Sequence, residues 1–234
     1  MLEDRCNKEF VPGHALSLDE SLIRCFRRLK FKVLIIAKSD KHRIKVHAIA
    51  DATTAHVLKV IFHTGKFAYH VEVDSIALKK TMQIVKKLCE PHCGSHRCVC
   101  IDRFHTSIDL MHELDKMHLH VTGTCMKNRL PNELRVNKSQ KEYKDMNRGD
   151  YKSHLHEHVM VKETGEQVEK NHRLVCWKDK DVFYSLTNCV YETKTNVCFR
   201  QSLEGRITLQ RPRVISEYNN NVGGVDLADV RRLH

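Results

Sequence analysis

The stretch ALSLDES, Ala15 to Ser21, alternates apolar and polar residues: Leu16 and Leu18 share one face and Asp19 follows them. Such alternation predicts a short strand with one buried side, here delivering a carboxylate to its carboxyl end. Downstream, Phe31 to Ala37, Arg43 to Ala50 and Val57 to His63 are rich in Val and Ile, with the polar stretch Lys38 to His42 between the first two. These runs predict an antiparallel meander and therefore a sheet core. The period then changes. From Ser75 to Cys89, Leu78, Met82, Val85 and Cys89 share one helical face while Lys79, Lys80, Lys86 and Lys87 occupy the others, which is the pattern of an amphipathic helix.

Further along, Arg97 to Ile101 reads as a buried strand ending on Asp102, and Ser107 to Met117 as a helix with Ile108, Met111 and Leu114 inward. Leu119 to Thr124 is another strand, and Lys127 to Gly149 is polar and weakly periodic, as a loop or inserted subdomain would be. Leu174 to Trp177 and Val182 to Leu186 flank the turn sequence Lys178 to Asp181 and predict a hairpin. Gly223 and Gly224 break the chain, after which Val225 to Leu233 reads as a helix with Asp226 in its first turn. A backbone without Cβ at the two glycines could turn sharply and let Asp226 approach other acids.

The expected class is α/β: an RNase H-like mixed sheet with flanking helices, interrupted by a small mainly-β insertion. Residues 1–125 would form the first part of the core, 126–210 the insertion, and 211–234 the end of the core. One carboxylate falls on the first strand, one after a later strand and one on a late helix. Only a folded sheet could bring together acids so far apart in sequence. Two divalent ions about 3.5–4 Å apart can activate an attacking hydroxyl and stabilise the leaving oxygen of a phosphodiester, and hard cations take oxygen ligands. By itself the pattern is weak, because the chain carries 29 acids.

The 234 residues are 41% hydrophobic and 29% charged, with 9 Gly and 4 Pro, which excludes a disordered or collagenous chain. A formal charge of +11 favours a polyanionic partner, nucleic acid first. The longest apolar run, Val33 to Ala37, is far short of the roughly 20 residues that span a bilayer. The amino-terminal residues lack the apolar stretch of a secretory signal, so the 10 Cys are expected to be reduced thiols.

Four ordered stretches carry a resemblance. PGHALSLDESLIRCFRRLKFKVLIIAKSDKHRIKVHAIAD (Pro12 to Asp51), CVCIDRFHTSIDLMHEL (Cys98 to Leu114), LVCWKDKDVFYSLTN (Leu174 to Asn188) and VISEYNNNVGGVDLADV (Val214 to Val230) resemble the motifs of piggyBac transposases and piggyBac transposable element-derived proteins. The resemblance implies a DDE-type catalytic domain in which Asp19, Asp102 and Asp226 coordinate two Mg²⁺ or Mn²⁺ ions, with Asp229 an additional acid nearby. It implies DNA as partner, cleaved at transposon ends and joined to TTAA targets, and a nuclear location. It also implies a chain that lacks the family's upstream DNA-binding and dimerisation region and its later helices and cysteine-rich tail, so that a homodimer is expected only of a full-length form. Arg103 stands where the family commonly carries Asn, and its cation would either oppose metal binding or point at DNA phosphate.

Among basic residues, Arg24, Arg27, Arg28, Lys30 and Lys32 adjoin Asp19 and are read as DNA contacts, whereas Lys79 to Lys87 reads as a solvated helix face. Cys89, His92, Cys93, His96, Cys98 and Cys100 are closely spaced but do not form paired C-x-x-C knuckles, so zinc is not expected on that run. The alternatives to a strand-transferring enzyme are a domesticated, non-catalytic nuclear protein with a basic DNA- or chromatin-binding surface, and a transposon remnant.

Overall fold

The computed structural model describes residues 9–26, 28–34, 42–63, 80–130, 145–161, 167–189, 195–202 and 205–233. In chain order the strands are β1 (Ala15–Arg24), β2 (Val33–Leu34), β3 (His42–Asp51), β4 (Val57–Phe62), β5 (Cys98–Ile101), β6 (His120–Thr124), β7 (Tyr151–Val161), β8 (Gln167–Lys178), β9 (Val182–Thr187), β10 (Thr195–Ser202) and β11 (Gly205–Pro212). The helices are α1 (Lys80–Cys89), α2 (Ile108–Lys116), α3 (Arg213–Asn221) and α4 (Gly224–Leu233). The chain divides into two compact units, Met1–Cys93 with Asn221–His234, and Gly94–Asn220.

In the first unit, β1 pairs antiparallel with β3 from Leu16↔Asp51 to Arg24↔Arg43. The far edge of β3 is shared: β2 pairs at Val33↔Arg43, and β4 pairs from Val46↔Phe62 onward, with a bulge at Ile49/Ala50. Leu16 and Leu18 are fully buried, as the alternation requires. The expected strand beyond Leu34 and the expected first helical turn at 75–79 lie outside the described residues. α1 buries Met82, Ile84, Val85, Leu88 and Cys89. Its last turn is held by Lys59, whose Nζ donates to the Lys87 carbonyl at 2.6 Å and lies 3.6 Å from the Glu90 carboxylate. A cation there satisfies a carbonyl that the helix leaves unpaired.

At the end of β3, the Asp51 carboxylate accepts from the backbone N–H of Gly13 (2.7 Å), Thr53 (3.1 Å) and Thr54 (2.7 Å), and from the Thr54 hydroxyl (2.8 Å). Burial would raise its pKa, but these donors outweigh that and hold it below the ordinary carboxylate value.

The second unit carries a mixed sheet. β5 and β6 are parallel (Cys98↔His120 to Ile101↔Gly123), β6 pairs antiparallel with β9, and β9, β8 and β7 form an antiparallel meander. All four residues of β5 are buried, as expected of a short apolar run covered on both faces. The stretch expected as an insertion is thus hydrogen-bonded to β6 through β9. β10 and β11 form a separate hairpin. It packs on β8 through a cluster of Val175, Trp177, Cys198, Leu209, Val214 and Ile215, and the Trp177 indole N–H donates to the Gln210 carbonyl at 2.9 Å. Asp179 is clamped between Arg148 (2.6 Å) and Arg200 (2.8 Å). α3 turns Val214, Ile215 and Tyr218 inward. No helix among the described residues is long and apolar enough to cross a membrane.

Candidate active site

Side chains alternate across a strand, so Ser17, Asp19 and Ser21 project from the face of β1 opposite to Leu16 and Leu18. In register beside them on β3 stand Ala50, Ala48 and Val46. α4 lies on this face. The Ser17 hydroxyl donates to the Val222 carbonyl at 2.5 Å and accepts from the Val225 N–H at 3.4 Å. The Ser21 hydroxyl donates to Asp229 Oδ1 at 2.6 Å. Val225 packs on Ala48 and Ala50, with Val60 at the margin. Two serines that meet the start and the middle of α4 therefore bracket Asp19, and its side chain, which accepts from the Glu20 N–H at 2.7 Å, belongs to the strand–helix seam.

Asp226 stands exposed in the first turn of α4, three residues before Asp229 and hence on the same helical face. The first unit thus carries Asp226 on the helix that packs on the Asp19 face of β1. Gly224 makes the approach possible. A Cβ there would lie 2.8 Å from Ser17 Cβ, 3.0 Å from Ala52 Cα and 3.1 Å from the Asp51 carbonyl, whereas one at Gly223 would meet nothing within 4 Å. Farther along the helix, Asp229 Oδ1 also accepts from Arg232 at 3.0 Å, and the Arg231 guanidinium donates to the Thr54 carbonyl.

Asp102 belongs to the second unit, immediately after β5. Its Oδ1 accepts from the Phe104 N–H at 2.8 Å, and its carbonyl accepts from the Thr106 hydroxyl at 2.8 Å and from the His105 and Thr106 N–H groups at 3.2 Å. Ser107 then caps α2 by accepting from the Leu110 N–H at 3.2 Å. Gly123 on β6 admits this turn, since a Cβ there would press into the Thr106 hydroxyl and lie 2.7 Å from the Ile101 carbonyl. The carboxylate is therefore held half-buried at a strand–turn–helix junction by the Phe104 N–H two residues on, and the Arg129 guanidinium donates to the Phe104 carbonyl of the same turn. Arg103 beside it is exposed.

The family model described as Transposase IS4 matches residues 1–233. The chain belongs to the Transposase IS4 family. Over 97% of its length it is 28% identical to the Homo sapiens PiggyBac transposable element-derived protein 3 and to the Homo sapiens Chimeric ERCC6-PGBD3 protein. It spans 36% of the first relative and 20% of the second. Among solved structures it is similar to a chain of the "piggyBac transposase synaptic complex with hairpin DNA", with a TM-score of 0.70 and 22% identity over 98% of this chain and 42% of that one. That likeness shows a shared fold. The piggyBac resemblance carried by the four motifs is borne out, and the chain is a mixed α/β, transposase-like domain.

For this Transposase IS4 family member, the expected DNA contacts sit at the end of β1 and in the turn after it. Arg24, Arg28 and Lys30 are exposed and Lys32 is half-buried, while Arg27 lies outside the described residues. Two of the short-spaced cysteines, Cys89 and Cys98, are not poised as thiolates. Burial, with the nearby Cys93, pushes the Cys89 thiol up to about 12. Cys98 is likewise pushed up to about 12, first by its neighbour Cys100 and further by burial; its sulfur lies 3.4 Å from that of Cys189. Sequence reasoning missed Ser17, Ser21 and Gly123 and could not separate Gly224 from Gly223. The signal available was small hydroxyl residues two positions either side of a strand carboxylate.

Proposed function

We propose that this chain is the catalytic domain of a piggyBac-like transposase, which cleaves DNA and joins the freed 3′ hydroxyl to a target, with Asp19, Asp102 and Asp226 holding two Mg²⁺ or Mn²⁺ ions. A DDE-type transposase family implies a divalent metal, and the donors fit one. The three groups offer carboxylate oxygens, which hard cations take. Ala48 opposite Asp19 in register puts no bulky side chain in competition for the space. When bound, the ions would activate the attacking hydroxyl and neutralise charge on the leaving oxygen. The protein's part is positional. Ser17, Ser21 and Gly224 set α4 against β1, the Phe104 N–H orients Asp102, and Arg24, Arg27, Arg28, Lys30, Lys32 and Arg103 neutralise phosphates of the bound strand.

The observation that supports this reading most is the bracketing of Asp19 by two serines hydrogen-bonded along α4, the helix that presents Asp226. The finer assignments rest on the resemblance: transposon ends and TTAA targets as substrates, a homodimer in a longer form, a nuclear location, and a core of residues 1–125 and 211–234 around an insertion of 126–210. The test is Mn²⁺ calorimetry of the chain beside Asp102→Asn and Asp226→Asn, with Mg²⁺-dependent DNA nicking scored on the same samples. Both activities are expected to disappear in the variants; Mn²⁺ binding unchanged by either substitution would refute the metal site.

A non-catalytic DNA-binding protein is the second reading. It is favoured by the exposed cation of Arg103 directly after Asp102 and by a relative named as transposable element-derived. On that reading the parent chain binds DNA but neither binds Mn²⁺ nor nicks.

A further inference from the structure

Two of the non-glycine residues with positive φ are histidines, His96 at +52° and His118 at +54°. His118 is explained locally in part. Its N–H donates to the Asp115 carbonyl and the Leu119 N–H to the Leu114 carbonyl, both at 3.0 Å, so it occupies the left-handed residue of a Schellman cap on α2. Glycine or asparagine is the usual choice there, and histidine costs more. His96 occupies a second left-handed position in the turn before β5. The two turns are zipped together: Gly94 N–H donates to the Met117 carbonyl (2.9 Å), His96 N–H to the His118 carbonyl (3.0 Å) and His120 N–H to the Arg97 carbonyl (2.9 Å). As a result the His96 ring centroid lies 5.7 Å from that of His118 and 6.2 Å from that of His120. His96 and His118 are exposed and His120 half-buried.

Three imidazoles on one tetrahedral ion, with metal–nitrogen bonds of about 2.0–2.1 Å, hold their ring centroids about 5 Å apart. The His96–His118 and His96–His120 separations exceed this, so binding would require the exposed His96 and His118 side chains to rotate toward the half-buried His120. Left-handed backbone tolerated at two positions whose imidazoles come within 5.7 Å of each other points to a use for those imidazoles. We propose that His96, His118 and His120 form a binding site for a divalent transition-metal ion such as Zn²⁺. Imidazole nitrogen suits such an ion and not Mg²⁺. The site differs from the short cysteine–histidine run, of which only His96 takes part. Three protein ligands leave the fourth position to water. The ion pins the turns that begin β5 and β6, and so the strand that ends at Asp102, whether or not the carboxylates hold metal.

The test is Zn²⁺ calorimetry of the chain at neutral pH in excess Mg²⁺, which occupies oxygen sites, with Zn²⁺-dependent thermal shift on the same samples. His118→Asn and His96→Asn are the variants, because asparagine keeps the left-handed backbone and removes the ligand; His14→Ala, an exposed histidine of the other unit, is the control. One Zn²⁺ is expected to bind the parent and the control and to raise their melting temperature. Each Asn variant should fold with an unchanged or higher melting temperature without zinc and lose at least tenfold in affinity. No binding by the parent, or binding unchanged in the Asn variants, would overturn the site, the latter by assigning the ion to thiols or other histidines.

Discussion

Replacing Gly224 by Ala tests the packing on which the seam depends. The added methyl would lie 2.8 Å from Ser17 Cβ, 3.0 Å from Ala52 Cα and 3.1 Å from the Asp51 carbonyl. None of these atoms is the end of a flexible side chain, and Asp51 is held by four hydrogen bonds of its own. Relief must come from α4 moving off the sheet. Overpacking of this kind costs about 1–3 kcal/mol, while alanine regains at most about 1 kcal/mol over glycine in a helix interior. Gly224 is the first residue of α4, where that interior gain does not apply, so the net loss is about 1–3 kcal/mol, or roughly 2–12 °C in melting temperature for a chain of this size. Urea unfolding beside Gly223→Ala measures it, since a Cβ at Gly223 meets nothing within 4 Å and that variant should stay within about 0.5 kcal/mol of the parent. A Gly224→Ala chain as stable as the parent would refute the close approach of α4 to β1 on which the proposed pairing of Asp226 with Asp19 depends.

Ser21→Ala removes a hydroxyl that donates to the Asp229 carboxylate and should cost about 1–2 kcal/mol by urea unfolding, since hydrogen bonds to charged groups are the stronger kind; Ser21→Thr, which keeps the hydroxyl, should recover most of it. Asp179 gives an acid limb. Burial would raise its pKa, but the hydrogen bonds and charges of Arg200 and Arg148 outweigh that and hold it below the ordinary carboxylate value. The stability it contributes is therefore fully present above that value and is lost as pH falls through the depressed folded pKa. Urea midpoints at about pH 5 and about pH 3 should converge in Asp179→Asn relative to the parent.

What the sequence made legible was local. Asp102 sits where expected because strand, turn and helix follow one another within a few residues and its bonds reach no farther than Thr106. α1 and α2 follow their apolar periods, Met82–Val85–Cys89 and Ile108–Met111–Leu114, all buried. α3 escaped because its apolar face is only Val214, Ile215 and Tyr218, followed by three asparagines that favour turns. The bracketing serines escaped for a different reason. Ser17 and Ser21 acquire their partners across 205 and 208 residues, and no periodicity within β1 distinguishes a serine facing solvent from one facing a helix. The three histidines are the same case: the backbone zipper, not spacing, collects them.

The two acids of α4 can be told apart on physical grounds. Both lie on one helical face, but Asp229 Oδ1 already takes a hydroxyl proton from Ser21 at 2.6 Å and a guanidinium proton from Arg232 at 3.0 Å. Electron density committed to a cation and a hydroxyl is a poorer donor to a metal, and its role is to fix the rotation of α4 about its axis. Asp226, one turn earlier and exposed, carries no such duty in the packing. On the proposed reading, Asp226→Asn abolishes Mn²⁺ binding with little change in stability, because an exposed first-turn carboxylate contributes only about 0.3–1 kcal/mol through the helix dipole. Asp229→Asn keeps an acceptor oxygen for Ser21 but loses the charge that Arg232 faces. It should lower stability more than Asp226→Asn while Mn²⁺ still binds, weakened by less than about tenfold, since its carboxylate acts on the metal only through the helix it orients. The reverse outcome, Mn²⁺ binding lost in Asp229→Asn and kept in Asp226→Asn, would move the third ligand one turn along α4 and make the Ser21 hydrogen bond a support for the ligand instead of a clamp for the helix.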